Sequence, residues 1–191
     1  RRRTSVGVTI RERASGQADP MHLKGATDGT IRVACDSVCA ASAPRCVLSV
    51  TKWGHSGIVG TGSTGCWHIM LRGGKEPNCC AHHVSAVKTG LEKAGLPTQV
   101  MIDFSHANSS KQFKKQLDVS TDVAQQIATG DDAIIGVMIE SHLVEGNQNL
   151  ESGEPLVYGQ SVTAGCIGWA DHDSVLRPPA GAVGVRAVGR G

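Results

Sequence analysis

The chain is poor in aromatic residues, carries only a slight excess of positive charge and contains no long apolar run. A membrane-spanning helix needs about 20 predominantly apolar residues, and no stretch approaches that. The net charge is +2, and the basic residues are dispersed rather than striped, so no nucleic-acid surface is demanded. Arg1-Arg2-Arg3-Thr4 is basic, but no apolar segment follows it, so this stretch is not expected to be a secretory signal. An initiator Met is missing too, which leads us to expect a true N-terminus upstream. The seven cysteines form no C-x-x-C pair, and adjacent Cys79 and Cys80 are poorly placed to bond each other. We therefore expect free, mostly structural thiols in a reducing cytoplasm, not a disulfide framework or a zinc knot.

What is abundant is glycine, with 24 residues, which favours a loop-rich α/β protein over a coiled coil or bundle. Met21-His22-Leu23-Lys24 reads as a short strand. A helix is expected after an N-cap at Thr27 or Asp28, with Ile31, Ala34, Cys35, Val38 and Cys39 on its apolar face. Residues 46–50 and 56–60 read as an inserted hairpin turning at Lys52-Trp53-Gly54-His55. From Trp67 onward the order is strand (67–71), helix (81–94), strand (99–104), helix (110–128) and strand (133–139). Gly95 and Pro97 stop the first of these helices. The last strand is almost continuously apolar, as expected of a parallel strand covered on both faces. Pro178-Pro179 and the glycines beyond argue against a helix at the C-terminus, so 176–191 is expected to be irregular.

Lys24, Arg72, His106 and Glu140 each fall at or just after a strand's C-terminal end. In a parallel barrel those ends converge on one mouth. Two cations there suit phosphate or carboxylate, and Gly73-Gly74 lets backbone amides approach an anion closely. A neutral imidazole and a carboxylate are natural ligands of a divalent first-row metal. Each residue also has a plainer reading. A strand-end cation is often a solvated rim residue, His106 could cap the following helix beside Asn108 and Ser109, and Glu140 could pair with Arg72. Their joint placement favours a site.

Three long segments carry a resemblance: Leu71-Arg72-Gly73-Gly74-Lys75-Glu76-Pro77-Asn78, Met101 to Lys111 (MIDFSHANSSK), and Glu140 to Gln148 (ESHLVEGNQ). Together they resemble class I DAHP synthase, the enzyme family of the first step of the shikimate pathway and so of aromatic amino acid biosynthesis. Ser49 to Ser56 (SVTKWGHS) resembles its phenylalanine-sensitive bacterial members. The match runs from about residue 3 to 169. It implies one partial (β/α)8 barrel domain over 1–191, the C-terminal half of the fold, with the 46–60 hairpin inserted and a divergent tail at 176–191. It implies an aldol-type condensation of phosphoenolpyruvate with erythrose 4-phosphate in the cytoplasm, in a full-length protein that self-associates. Nucleic-acid and membrane partners are not expected.

By position, the resemblance assigns Arg3 and Arg72 to the phosphate of phosphoenolpyruvate and Lys24 to its carboxylate. It gives His106 and Glu140 to the divalent metal (Mn, Fe, Co or Zn), and counts His106 and Lys24 as catalytic. Ser49 and Val59 remain from an aromatic amino acid inhibitor pocket, where Arg13, Gln17 and Val47 depart from the family. The family's Cys ligand and a Lys-Pro-Arg-Thr loop would lie before Arg3. Its Asp ligand after Ser-Ile-Thr is replaced here by Ala164, which follows Ser161-Val162-Thr163. Metal binding is therefore expected to be impaired, and this chain alone to be inactive and prone to aggregate through open strand edges. The alternative is a non-catalytic, phosphate-binding remnant with a regulatory or interaction role. A barrel using Lys24 as a Schiff base is a minor third reading.

Overall fold

A computed structural model describes residues 21–24, 32–50, 53–63, 67–150, 153 and 155–189. Its centre is a four-stranded parallel sheet of β1 (Met21–Lys24), β4 (Trp67–Leu71), β5 (Val100–Asp103) and β6 (Ile134–Met138), in that spatial order. Lys24 pairs with Met70, Leu71 with Ile102, and Asp103 with Met138. The C-terminal ends of all four strands thus lie along one edge. Between β1 and β4 come helix α1 (Arg32–Ala41) and an antiparallel hairpin, β2 (Arg45–Val50) with β3 (Ser56–Thr61). The expected cap at Thr27 or Asp28 lies outside the described residues.

Strand alternation sorts the sheet residues. Ile69, Leu71, Val100, Ile102 and Ile134 are buried in one apolar cluster with helices α2 (Ala81–Lys93) and α3 (Gln116–Ala128). Val84, Val87 and Leu91 supply the contact stripe of α2, and Val119, Val123 and Ile127 that of α3. Helix α2 ends as the sequence predicts. Gly95 takes φ +66°, its N–H reaches Glu92 O, and Leu96 N–H reaches Leu91 O, which is a Schellman closure.

Three expectations need correction, two of them within the strand and helix series. The helix expected from 110 begins at Gln116, after a 3-10 turn at Phe113–Lys115. The reason is the positive φ of His106, Ser110 and Lys111, which bends this segment into a loop. The apolar coverage of the last strand is also incomplete, since Ile135 is 54% exposed. Beyond β6 the sheet continues through a parallel bridge of Ser141 to Ile167, and β7 (Val144–Asn147) pairs in parallel with β8 (Gln160–Ser161). Neither of those two short strands is expected from the sequence, since each is too short to show a clear alternation.

The expected irregular tail is, up to Val188, a helix: α4 (His172–Val188) contains both prolines. A proline removes the N–H that would bond the carbonyl four residues earlier. For Pro179 that carbonyl belongs to buried Val175, and the Ser120 hydroxyl of α3 donates to it at 2.6 Å. For Pro178 the residue concerned is Ser174, which is exposed. Burial of Val175, Pro179 and Ala182 along one side of α4 favours the helix despite its composition. Arg186 anchors the far end by donating to Asp131 O at 2.6 Å.

Among the described residues no helix is long and apolar enough to cross a membrane. The six described cysteines are all free thiols, as expected. Cys79 is one of the buried ones. Burial, and secondarily the Asp122 carboxylate, push its thiol up to about 11.

Two outcomes follow from these contacts. Ser120→Ala strands the Val175 carbonyl and should cost about 1–3 kcal/mol, read as a lower urea midpoint in whichever form, alone or joined to an upstream half, unfolds reversibly. Ionisation of Cys79 is easier in the unfolded chain, so its contribution is intact below about pH 9 and fades toward about pH 11. Thermal melts of Cys79→Ala should therefore decline less steeply across that window than those of the parent chain.

Candidate functional site

The loops that leave β4 and β5 at the sheet's C-terminal edge are locked together. Asn108 is buried, and its side-chain amide donates to Leu71 O at 3.1 Å and to Asp103 O at 2.7 Å. Its Oδ1 accepts the Asn78 N–H at 2.8 Å. Asn78 in turn accepts the Gly73 N–H at 2.7 Å. Gly73 has φ +73°, and a Cβ there would come within 2.6 Å of the Ala107 Cβ. Only glycine permits this approach. Arg72, partly buried, is therefore carried on a fixed loop beside the one that bears His106.

His106 sits at φ +52° with its ring partly exposed. Its Nδ1 lies 2.8 Å from Oδ2 of Asp103, whose carboxylate is fully buried. The other Asp103 oxygen accepts from the Ser105 N–H and hydroxyl at 2.9 and 2.8 Å. A carboxylate at Nδ1 fixes that nitrogen as the N–H donor and leaves Nε2 as the lone-pair donor. His106 does not cap a helix; its carbonyl accepts the Lys111 N–H inside the loop. Asp103 is the residue that sequence reasoning missed. The Asp-x-x-His spacing at a strand end was the available signal.

Glu140 follows β6, the neighbour of β5. Buried Gln116, the first residue of α3, brackets its backbone. Oε1 accepts the Glu140 N–H and Nε2 donates to the Glu140 carbonyl, both at 3.0 Å. Ile167 N–H also donates to that carbonyl. Glu140 itself is partly buried. A cavity of about 700 Å³ opens beside His106, lined also by Lys111, Lys114, Asn147, Thr163 and Ala164. The methyl of Ala164 thus shares a cavity with the imidazole.

Lys24 ends β1 on the same edge, while Arg3 lies outside the described residues. Ser49 and Val59 lie on the separate β2–β3 hairpin, where Val47 pairs with Val59 and Ser49 with Gly57, all on one face. Asp171 and Asp173 are engaged in ion pairs with Lys114 and Arg177.

The arrangement matches known proteins. The model of the DAHP synthetase I family fits residues 2–177. The chain belongs to that family. The family match extends past residue 169 into the first turns of α4. The chain is 66% identical over 184 residues to the Phe-sensitive phospho-2-dehydro-3-deoxyheptonate aldolase of Escherichia coli K12, covering 96% of the chain and 53% of that protein. It is 52% identical over 182 residues to the phospho-2-dehydro-3-deoxyheptonate aldolase of Haemophilus influenzae, covering 95% of the chain and 50% of that protein. The phospho-2-dehydro-3-deoxyheptonate aldolase structure from Francisella tularensis superposes with a TM-score of 0.88 at 43% identity, covering 93% of the chain and 52% of that structure. The chain therefore spans about half the length of the curated relatives it matches.

As a DAHP synthetase I chain, it fits a divalent metal incompletely. His106 offers a preset Nε2 and Glu140 a carboxylate on a pinned backbone, but the side chain at position 164 offers no donor atom.

Asn108→Ala leaves two inward carbonyls without their donor, and each such loss costs about 1–3 kcal/mol. Amide exchange in 72–80 and 105–112 should accelerate more than in α2 and α3. Uniform acceleration would mean that Asn108 supports the whole fold instead of tying these two loops.

Proposed function

We propose that the chain is the C-terminal half of a (β/α)8 barrel that condenses phosphoenolpyruvate with erythrose 4-phosphate, the barrel domain spanning 1–191 with the 46–60 hairpin inserted. In this reaction C3 of phosphoenolpyruvate bonds to the aldehyde carbon, water adds at C2 and inorganic phosphate leaves. The observation that carries the reading is the gathering of Lys24, Arg72, His106 and Glu140 along one sheet edge, with Asp103 holding His106 in the ligand tautomer. Arg72 and Lys24 neutralise the phosphate and carboxylate of phosphoenolpyruvate, helped by Arg3. His106 Nε2 and the Glu140 carboxylate hold the metal. When bound, a manganese, iron, cobalt or zinc ion supplies Lewis acidity toward the aldehyde oxygen. Lys111, on the cavity wall beside His106, provides positive charge for the second phosphate.

The relatives' names include Phe-sensitive and Trp-sensitive forms. By analogy, the hairpin face bearing Ser49 and Val59 is the weak remainder of an aromatic amino acid site, and the full protein is a cytoplasmic homo-oligomer. A second reading, a phosphate-binding remnant without catalysis, is favoured by one specific observation: Ala164 puts a methyl group into the cavity of His106.

The test joins an upstream half taken from the Escherichia coli relative and follows loss of phosphoenolpyruvate absorbance with Mn²⁺ and erythrose 4-phosphate. Losing a metal's supporting groups weakens a site by about 10–100-fold. Ala164→Asp should therefore raise the rate by about tenfold or more, and EDTA should abolish it. Turnover indifferent to EDTA would sink the metal mechanism. Phosphate binding with no turnover in either form would favour the remnant.

A further inference from the structure

We propose that Cys80, His82 and His83 form a second metal site, taking a borderline-soft divalent ion of the zinc type. It is distinct from the His106 and Glu140 pair and does not depend on the catalytic reading. The Cys80 Sγ lies 3.2 Å from Nδ1 of His82 and 3.0 Å from Nδ1 of His83. The three donor atoms lie within 4.8 Å of one another, and among the described residues this is the one Cys/His/Asp/Glu group so arranged. A tetrahedral zinc ion, with Zn–S about 2.3 Å and Zn–N about 2.0–2.1 Å, spaces its sulfur and nitrogen ligands by about 3.6 Å. The observed separations need to open by only about half an ångström to admit the ion.

The local backbone explains the convergence. Cys80 is the N-cap of α2, extended at φ −74° and ψ 159°, and its side chain makes no capping hydrogen bond. The sulfur is therefore not committed to the helix N–H groups. His83 is one turn along, on the side of the helix toward which Cys80 points. His82 swings in from the adjacent position, its ring centroid 3.9 Å from that of His83. A thiolate is the ligating form, and the Cys80 sulfur stands at the start of α2 with both imidazoles beside it. One thiolate and two imidazoles make a donor set suited to zinc. His82 is exposed and the other two are partly buried, so water can complete the fourth position.

Neighbouring Cys79 is a control supplied by the protein itself. It is buried, belongs to the apolar cluster, and its thiol is pushed up to about 11. It packs; Cys80 binds.

The experiment titrates the 191-residue chain with Co²⁺ and then displaces it with Zn²⁺, while circular dichroism monitors helix content. We expect a thiolate-to-cobalt charge-transfer band saturating at one equivalent, with d–d bands of tetrahedral character, both removed by zinc. Cys80→Ser should abolish the charge-transfer band. His83→Gln should weaken cobalt binding at least tenfold, with helix content unchanged in both variants. The His106→Gln, Glu140→Gln double variant should keep the band, which separates failure of this site from failure of the catalytic one. A band that survives Cys80→Ser, that disappears in the double variant, or that never forms in a helical chain would overturn the proposal.

Discussion

The carboxamide of Asn108 is the contact on which the site's geometry depends. Both of its N–H groups and its oxygen are used, on the ends of β4 and β5 and on the segment leading into α2. Because it is buried, each bond acts in a poorly screened environment, and each carbonyl it serves would be costly to leave bare. The sheet alone brings strand ends to a common edge but leaves the loops beyond them free to diverge. Asn108 removes that freedom for the loops bearing Arg72 and His106. Gln116 does the equivalent for Glu140, gripping both its backbone N–H and its carbonyl.

Buried polar groups recur as the means of positioning in this chain. Asp103 sets the tautomer of His106, Ser120 serves the carbonyl that Pro179 deprives of a donor, and Gln126 reaches Cys79 O. None of these is conspicuous in sequence, because serine, asparagine and glutamine are ordinary surface residues and only burial turns them into fasteners. The two candidate sites differ in the same respect. His106 is backed by a buried carboxylate, whereas Cys80, His82 and His83 lie on a helix start and draw on one another.

Much of the fold was legible. The alternation of apolar strands and amphipathic helices from Trp67 to Met138 identified the parallel sheet, and the helix stop at Gly95 was read correctly. So was the arrival of Lys24, Arg72, His106 and Glu140 at strand ends along one edge. The α3 start was misread because Ser110 and Lys111 adopt positive φ, which propensity does not foretell for such residues. The tail was misread because proline's cost was weighed without Ser120, a partner more than fifty positions away in the chain. In the candidate site, Asp103 was missed because a strand-end aspartate has no periodicity to reveal it. The Cys80 cluster was passed over because the cysteines were weighed as a disulfide framework or a zinc knot, without His82 and His83 beside them.

The contact of Gly73 with Ala107 bears on how this protein can vary. Surface connections ordinarily absorb extra residues with little penalty. Here two loops abut backbone to side chain with no spare volume. An inserted residue in either would shift Asn78 or Asn108 out of reach of its partner. Variation in loop length should therefore be excluded from these two connections and tolerated at the β2–β3 hairpin turn, where a Cβ on Gly54 would meet nothing within 4 Å.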